Sequence, residues 1–325
     1  MPNLPKNIAV VGCGYWGQNI VRSASEAGIL AAVSDTDAAR AAQFAEKYKV
    51  RSLSFEALLS DDTIVGVMLA VPAPQHAEMA LAAFSAGKHV FVEKPIALSL
   101  EDAQVMIDAA KNAERVLMVG HLLHYHPAFI ALKKMVTSGM VGSIRHIYSN
   151  RLNFGKIRTE EDVFWSFAPH DVSMILSLVG RMPLNIDAHY TADLMQSALA
   201  STAIAHFDFG QNLNAHIHVS WLNPFKEQKL VVVGDLGMVT FDDTLPWDQK
   251  LTVVKNNVVF KDAQPVLHKS QPTFVPVQAS EPLRDECIHF ARCIATGQTP
   301  DTDGAEALRV LRVMQACDKA AEAHS

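Results

Sequence analysis

The stretch Asn7-Ile8-Ala9-Val10-Val11-Gly12-Cys13-Gly14-Tyr15-Trp16-Gly17 decides the fold of this chain. A short apolar run ends in glycines, and the next residues, Trp16 to Ala27, place apolar side chains at Trp16, Ile20, Val21 and Ala24 before a stop at Gly28. Strand, GxGxxG turn and helix follow one another directly. Glycines there permit a tight turn and bring backbone N–H groups close to a pyrophosphate at the helix N-terminus. Asp35 ends the following apolar run, Ile29 to Ser34, 18 residues after Gly17. A carboxylate at that place accepts from ribose hydroxyls and repels a 2′-phosphate, which predicts NAD over NADP. Gly12, Gly14, Tyr15, Trp16, Gly17, Asp35 and Thr36 are the candidate cofactor contacts at this end. The alternative is a glycine turn with an incidental aspartate.

The alternation continues outward from that unit. Helical spacing over Ala38 to Lys47 and a short piece at Glu56 to Leu59 precede an apolar run, Ile64 to Ala70. Helix Gln75 to Ala86, strand His89 to Val92, helix Leu100 to Asn112 and strand Val116 to Val119 complete it. Strands that are apolar throughout, separated by helices, imply a parallel sheet covered on both faces. After Gly120 the rhythm changes. A helix from Pro127 to Ser138 leads to strands at Ser143–Leu152, Asn185–Tyr190, Ser201–Phe207, Asn212–Trp221, Lys229–Val233, Met238–Phe241 and Leu251–Val259, the last with an Asn256-Asn257 turn. Short turns between successive strands read as an antiparallel sheet. Two helices, Pro282–Ala295 and Gly304–Ala321, end the chain. The expected fold class is α/β: an N-terminal Rossmann dinucleotide-binding domain, residues 1–120, and a C-terminal α+β domain with a large open, mostly antiparallel sheet. That second domain, residues 121–325, is expected to bind substrate and to mediate oligomerisation.

Composition narrows the function classes. The 325 residues suffice for two domains at roughly 150 residues each. With 49% hydrophobic and 19% charged side chains, the chain buries a core and has no disordered bias. Its 28 basic and 34 acidic side chains leave a formal charge of -6, which argues against nucleic acid as a partner. No apolar run approaches the roughly 18 residues of a membrane span, and the N-terminus lacks a secretory pattern, so a cytoplasmic setting away from membranes is expected. Cys13, Cys287, Cys293 and Cys317 lack CxxC spacing and give no disulfide framework.

Two further motifs fall at the expected C-terminal sheet edge, where ligands bind in such folds. Ala70-Val71-Pro72-Ala73-Pro74-Gln75-His76 follows one strand and Glu93-Lys94-Pro95 another. A lysine beside a cofactor cleft donates to a substrate oxygen, and burial lowers its pKa towards acid–base work. An ordinary loop lysine paired with Glu93 is the alternative. Pro72, His76, Glu93, Lys94 and His121 are candidate cofactor contacts, although His76, in the first turn of a helix, reads by its chemistry as structural.

These motifs, with a histidine at His170 and the late Thr296–Gly304 segment, resemble the glucose-fructose oxidoreductase / inositol dehydrogenase / MocA family over nearly the whole chain. The resemblance implies a dinucleotide domain joined to an open-sheet domain, and oxidation or reduction of sugars and polyols. It makes Lys94 and His170 the candidate catalytic residues. Two positions depart from the family pattern: Ser166 stands four before His170 where an aspartate is frequent, and His124 stands where an arginine is common.

Asn150 to Glu161, the segment Trp165 to Asp171 and the expected hairpin Trp221 to Lys229 resemble a narrower subgroup, nucleotide-sugar 3-dehydrogenases acting on UDP-N-acetylglucosamine or its uronic acid. Arg151, Lys156 and Arg158 concentrate cations that suit a diphosphate. A charged loop paired with Glu160, Glu161 and Asp162 is the alternative. Candidate substrate contacts are Arg151, Asn153, Lys156, Arg158, Trp165 and His170. His121, His124 and His126 cluster without a carboxylate or cysteine, and His216 and His218 lie two apart on one strand, so no metal is expected. The expected activity is NAD-dependent oxidation of the C3 hydroxyl of a UDP-linked aminosugar, with His170 as base and Lys94 holding the oxygen, or the roles exchanged. A free polyol dehydrogenase and a non-catalytic NAD-binding regulator are the alternatives. The partners expected are a small-molecule UDP-sugar and further copies of the chain in a dimer or tetramer.

Overall fold

The computed structural model describes residues 4–155, 157–192, 199–255 and 257–324. Its first half alternates strand and helix: β1 (Ile8–Val11), α1 (Gly17–Glu26), β2 (Leu30–Ser34), α2 (Ala38–Tyr48), β3 (Arg51–Ser52), α3 (Phe55–Leu59), β4 (Gly66–Leu69), α4 (His76–Ser85), β5 (His89–Glu93), α5 (Leu100–Asn112) and β6 (Leu117–Gly120). The helices begin where side chains satisfy free N–H groups. Asp37 accepts from Ala39 and Arg40 at the start of α2, and Ser99 from Asp102 at α5. The six strands are all parallel, in the order β3-β2-β1-β4-β5-β6. Every residue of β1, β4 and β6 is buried, which is why these strands read as continuous apolar runs rather than alternating ones. The strand order reverses between β1 and β4, so the glycine turn after β1 sits at the switch point of the sheet.

The chain continues through α6 (Pro127–Thr137), β7 (Ile144–Phe154) and α7 (Val163–Val179). The strands β8 (Asn185–Thr191), β9 (Thr202–Asp208), β10 (Asn214–Ser220), β11 (Leu222–Gly234), β12 (Met238–Asp242), β13 (Leu251–Val254), β14 (Asn257–Lys261), β15 (Gln264–His268) and β16 (Thr273–Phe274) follow. Eight of these strands form one sheet, ordered β16-β13-β12-β11-β7-β10-β9-β8, in which only β7 and β10 pair parallel. Burial alternates along them: Ala203, Ala205 and Phe207 are buried on β9, while Ile204 and His206 are exposed. α7 packs against β7, β9 and β10 on the buried face. The chain ends with α8 (Pro282–Thr296) and α9 (Gly304–Glu322).

Two compact units result. One comprises the residues up to Tyr125 together with Glu281–Leu311; the other comprises His126–Ser280 and the residues from Arg312 onward. In the first, α8 returns to α1 and packs Leu283, Cys287 and Phe290 into the core that holds Ile20, Val21 and Ala24. No helix among the described residues is long and apolar enough to cross a membrane.

Two expectations need correction, and one helix was not expected. Trp221 to Lys229 is not a hairpin: from Leu222 it is the start of β11, bulged between Leu222 and Glu227 where it pairs with β7. Leu251 to Val259 divides between β13 in the large sheet and β14 in a separate ribbon with β15, and Asn256 lies outside the described residues. α7 has no counterpart in the sequence reading. It is buried on nearly every side and carries Pro169 within it, so it shows neither an amphipathic stripe nor an uninterrupted helical composition.

Candidate active site

Steric closeness explains two of the three glycines of the turn after β1. Gly12 has φ of 91°, and a Cβ there would stand 2.5 Å from the Ala70 oxygen. A Cβ on Gly17 would meet the Gly12 oxygen at 1.9 Å, so α1 can start this close to the turn only from a glycine. Gly14 differs: nothing lies within 4 Å of the position its Cβ would take, which leaves its backbone open to a ligand. No side chain caps the N-terminus of α1. Beyond the turn a cavity of about 590 Å³ is lined by Cys13, Gly14, Tyr15, Gln18, Arg40, Gln43, Phe44 and Lys47. An open glycine, an uncapped helix start and an adjoining cavity fit a dinucleotide.

Asp35 follows β2. Its Oδ2 accepts from the Cys13 N–H at 2.7 Å and its Oδ1 from the Asp37 N–H at 2.8 Å, while Arg40 stands 3.3 Å away. Partial burial opposes its ionisation, but the N–H groups of Asp37 and Cys13, helped by Arg40, outweigh burial and hold the carboxyl below its ordinary value. Asp35 therefore stays charged beside the turn, and Thr36 next to it is exposed.

Glu93 ends β5 and links that strand to the glycine turn. Trp16 Nε1 donates to its Oε1 at 2.7 Å, and the Lys94 N–H donates to its Oε2 at 3.3 Å. The carboxyl lies against Gly120, where a Cβ would stand 3.0 Å from it. Burial raises the pKa of Glu93, against the Trp16 hydrogen bond and the charge of Lys94. Near it on α8, Glu286 is fully buried, and neither oxygen has a hydrogen-bond partner among the described residues. Burial and then the charge of Glu93 push its carboxyl well above the ordinary value.

The first unit thus gathers the glycine turn, Asp35, Glu93 and Lys94. Two other expected contacts are engaged inside the protein. The ring nitrogens of His76 face the carbonyl oxygens of Pro95 at 2.8 Å and Val71 at 2.9 Å. His76 thus joins the loops after β4 and β5, and Pro72 is exposed in the first of them. His121 is buried with Nδ1 2.6 Å from Glu306 Oε2 on α9, a pairing that orients its ring. His124 stands 4.0 Å from the same carboxyl, whereas His126 belongs to the second unit and meets Asp243 at 3.2 Å.

In the second unit, Asp162 caps α7 by accepting from the Trp165 N–H, and His170 lies about two turns past that cap, partly exposed. The neighbouring Asp171 is 1% exposed and accepts from Ser149 Oγ at 2.7 Å. Arg151, two residues along β7 from Ser149, donates to both Asp171 oxygens, Nε at 2.9 Å and Nη2 at 3.0 Å. Burial alone would lower the Arg151 pKa; Asp171 outweighs it and raises it. Arg151 is therefore the partner of Asp171. Arg158 is paired at 2.8 Å with Glu161, three residues on, and Lys156 lies outside the described residues. The indole N–H of Trp165 donates to Asp318 at 2.9 Å, an oxygen pair that also accepts from Tyr190. Asn153, near the end of β7, is partly exposed.

Sequence reading missed Glu306, Asp318 and Gly120, together with Gln43, Phe44 and Lys47 in the cavity wall. The two carboxylates act across more than a hundred residues of chain and carry no local signal. Gly120 closes an apolar run, and a glycine in that place is the one cue that a side chain crosses it.

Family models match both halves. The model for the oxidoreductase family with NAD-binding Rossmann fold covers residues 6–121, and that for the GFO/IDH/MocA C-terminal domain covers residues 129–240. The chain belongs to the GFO/IDH/MocA oxidoreductase family. Its first domain is an NAD-binding Rossmann domain and its cofactor is NAD. This GFO/IDH/MocA chain is 32% identical to UDP-N-acetylglucosamine 3-dehydrogenase of Acidithiobacillus ferrooxidans over 196 residues, 60% of this chain and 61% of that one. It is equally 32% identical to inositol 2-dehydrogenase 2 of Saccharopolyspora erythraea over 192 residues, 56% of each. The chain thus spans about three-fifths of the length of these curated relatives. The solved structure of the Acidithiobacillus enzyme superposes with a TM-score of 0.84 over 99% of both chains at 24% identity, a likeness of fold.

Proposed function

We propose that the chain is an NAD-dependent dehydrogenase of a secondary ring hydroxyl, and that its substrate is UDP-N-acetylglucosamine, oxidised at C3. UDP-N-acetylglucosaminuronate is the close alternative. The observation that carries the dehydrogenase reading is the bridge from Trp16 in the glycine turn to Glu93, which holds Lys94 at the same sheet edge as the cofactor turn. The nucleotide-sugar reading is supported by the 32% identity to the Acidithiobacillus enzyme.

NAD, when bound, supplies the hydride acceptor. The residues of the chain then have to bind the sugar and manage one proton. His170 takes the hydroxyl proton, since a neutral imidazole nitrogen is a ready acceptor for it. Lys94, at the sheet edge of the first unit, is the group that holds a substrate oxygen and stabilises negative charge developing on it. Asp171 serves this step indirectly, by fixing α7 to β7 through Arg151 and Ser149.

A second reading, a free polyol or inositol-like substrate, is favoured by one observation: Arg151 and Arg158 are both paired with carboxylates of the chain, which leaves neither as a ready diphosphate ligand. NADH formation with UDP-N-acetylglucosamine, its uronic acid, free N-acetylglucosamine and myo-inositol separates the two. The nucleotide-sugar reading requires the highest kcat/KM with a UDP-sugar, because binding of a remote nucleotide is used to position the reacting carbon. Equal kcat/KM for the free and UDP-linked sugars, or a preference for inositol, replaces it with the polyol reading.

A further inference from the structure

The edge strand β8 and the end of α9 bring three metal-ligating side chains together on the surface of the second unit. Asp187 and His189 are two apart on β8 and so point to the same face. His324 lies just past α9, and its N–H donates to the Ala321 oxygen, which carries the helical turn up to it. Its Nε2 stands 2.7 Å from Asp187 Oδ1, and His189 Nε2 stands 3.5 Å from Asp187 Oδ2. The two imidazole rings are stacked with centroids 4.3 Å apart. One ligand atom from each of the three residues lies within 4.8 Å of the others.

A simple ion pair is a poor account of this arrangement. Two imidazoles stacked this closely repel if both are charged, and exposed pairs of this kind contribute little. A cation satisfies all three groups at once, because both neutral rings and the carboxylate have lone pairs to give. Two imidazole nitrogens with one carboxylate oxygen suit zinc and its borderline neighbours; calcium and magnesium prefer oxygen ligands alone. We propose that Asp187, His189 and His324 form a surface site for a divalent transition-metal cation, Zn²⁺ being the representative, with water completing the coordination. The bound ion joins the end of α9 to β8 and helps cover an edge whose unpaired N–H and C=O groups otherwise invite another strand. The site is independent of the dehydrogenase reading.

Isothermal titration of tag-free, metal-stripped protein with zinc chloride tests it. One equivalent binds to the wild type, and saturating zinc raises its Tm. His189→Ala, His324→Ala and Asp187→Asn each weaken binding at least about tenfold, as loss of one ligand interaction requires, and abolish the rise in Tm. The three side chains are about half exposed, so the variants keep the fold. His206, opposite Asp187 on β9, and His216, on β10, are the nearest competing ligands along the sheet. His216→Ala leaves the titration unchanged if the proposal holds. Absence of zinc binding, wild-type affinity in the three variants, or loss of binding in His216→Ala overturns it.

Discussion

Asp171 holds the guanidinium of Arg151 through both of its oxygens, directly next in sequence to the candidate base His170. The pair is almost wholly enclosed, with side chains 1% and 12% exposed. Enclosed ions are costly when separated, and breaking such a pair from one side destabilises by about 3–5 kcal/mol. Asp171→Ala should therefore lower the unfolding free energy by that amount, measured by urea denaturation. Arg151→Met combined with Asp171→Leu should recover much of the loss, because no charge is then left without its partner. If Asp171→Ala costs less than about 1 kcal/mol, the pair does not fix α7 to β7.

Lys94→Met and His170→Ala should retain NAD binding and lose turnover. General acid–base groups typically contribute about 10²–10⁴-fold, so the loss should fall on kcat more than on KM. A large loss in one variant alone identifies the base and leaves the other residue to position the substrate oxygen. Near-normal kcat in both removes the proposed chemistry. Fluorescence titration with NADH reports the binding half of the prediction.

The parallel sheet was legible because β1, β4 and β5 are shielded on both faces, so runs such as Val67-Met68-Leu69 carry no polar interruption. Asp35 stands out for the same reason: it is the first charged residue after such a run. α7 was not, since a helix packed on nearly all sides has no polar face to mark its period, and Pro169 argues locally against it. The density of cations from Arg151 to Arg158 suggested an anion site, but density along a chain does not show what faces each group in space. Arg151 meets a carboxylate 20 residues away, and Arg158 meets one three residues ahead. His121 is paired across 185 residues, a separation at which no spacing rule operates.

The histidine on β5 gives a pH dependence of stability. His89 Nδ1 accepts from the Val116 N–H at 2.9 Å, a bond that a protonated nitrogen cannot make. Burial, and secondarily Arg115, lowers its pKa to about 4. A folded-state pKa below the unfolded value of about 6.5 means that the unfolded chain takes up the proton first as pH falls. The contribution is thus complete above pH ~6.5 and is lost progressively down to pH ~4. Between pH ~6.5 and ~5 the wild type should lose up to about 2 kcal/mol from this group, at 1.36 kcal/mol per unit. His89→Gln should flatten that part of the profile in urea unfolding. An unchanged slope in the variant would exclude His89 as its source.

Asp35 and Arg40 together should set the choice between NAD and NADP. With Asp35 held charged by the Cys13 and Asp37 N–H groups, a 2′-phosphate meets a carboxylate, and the nearest cation, Arg40, is already paired with it at 3.3 Å. The wild type should accordingly bind NAD more tightly than NADP. Asp35→Ala removes an acceptor for the ribose hydroxyls and releases Arg40. A charge-assisted hydrogen bond is worth roughly 1.5–3 kcal/mol, so NAD affinity should fall by about ten- to a hundredfold. NADP affinity should rise relative to it, because the freed guanidinium suits a phosphate. Adding Arg40→Ala to Asp35→Ala should cancel that gain while changing NAD affinity little, and the double-variant cycle isolates the contribution of Arg40. Calorimetric titration of both cofactors against the four proteins measures every term. Wild-type protein that binds NADP as tightly as NAD would sink the assignment of Asp35, and a gain that survives the loss of Arg40 would sink that of Arg40.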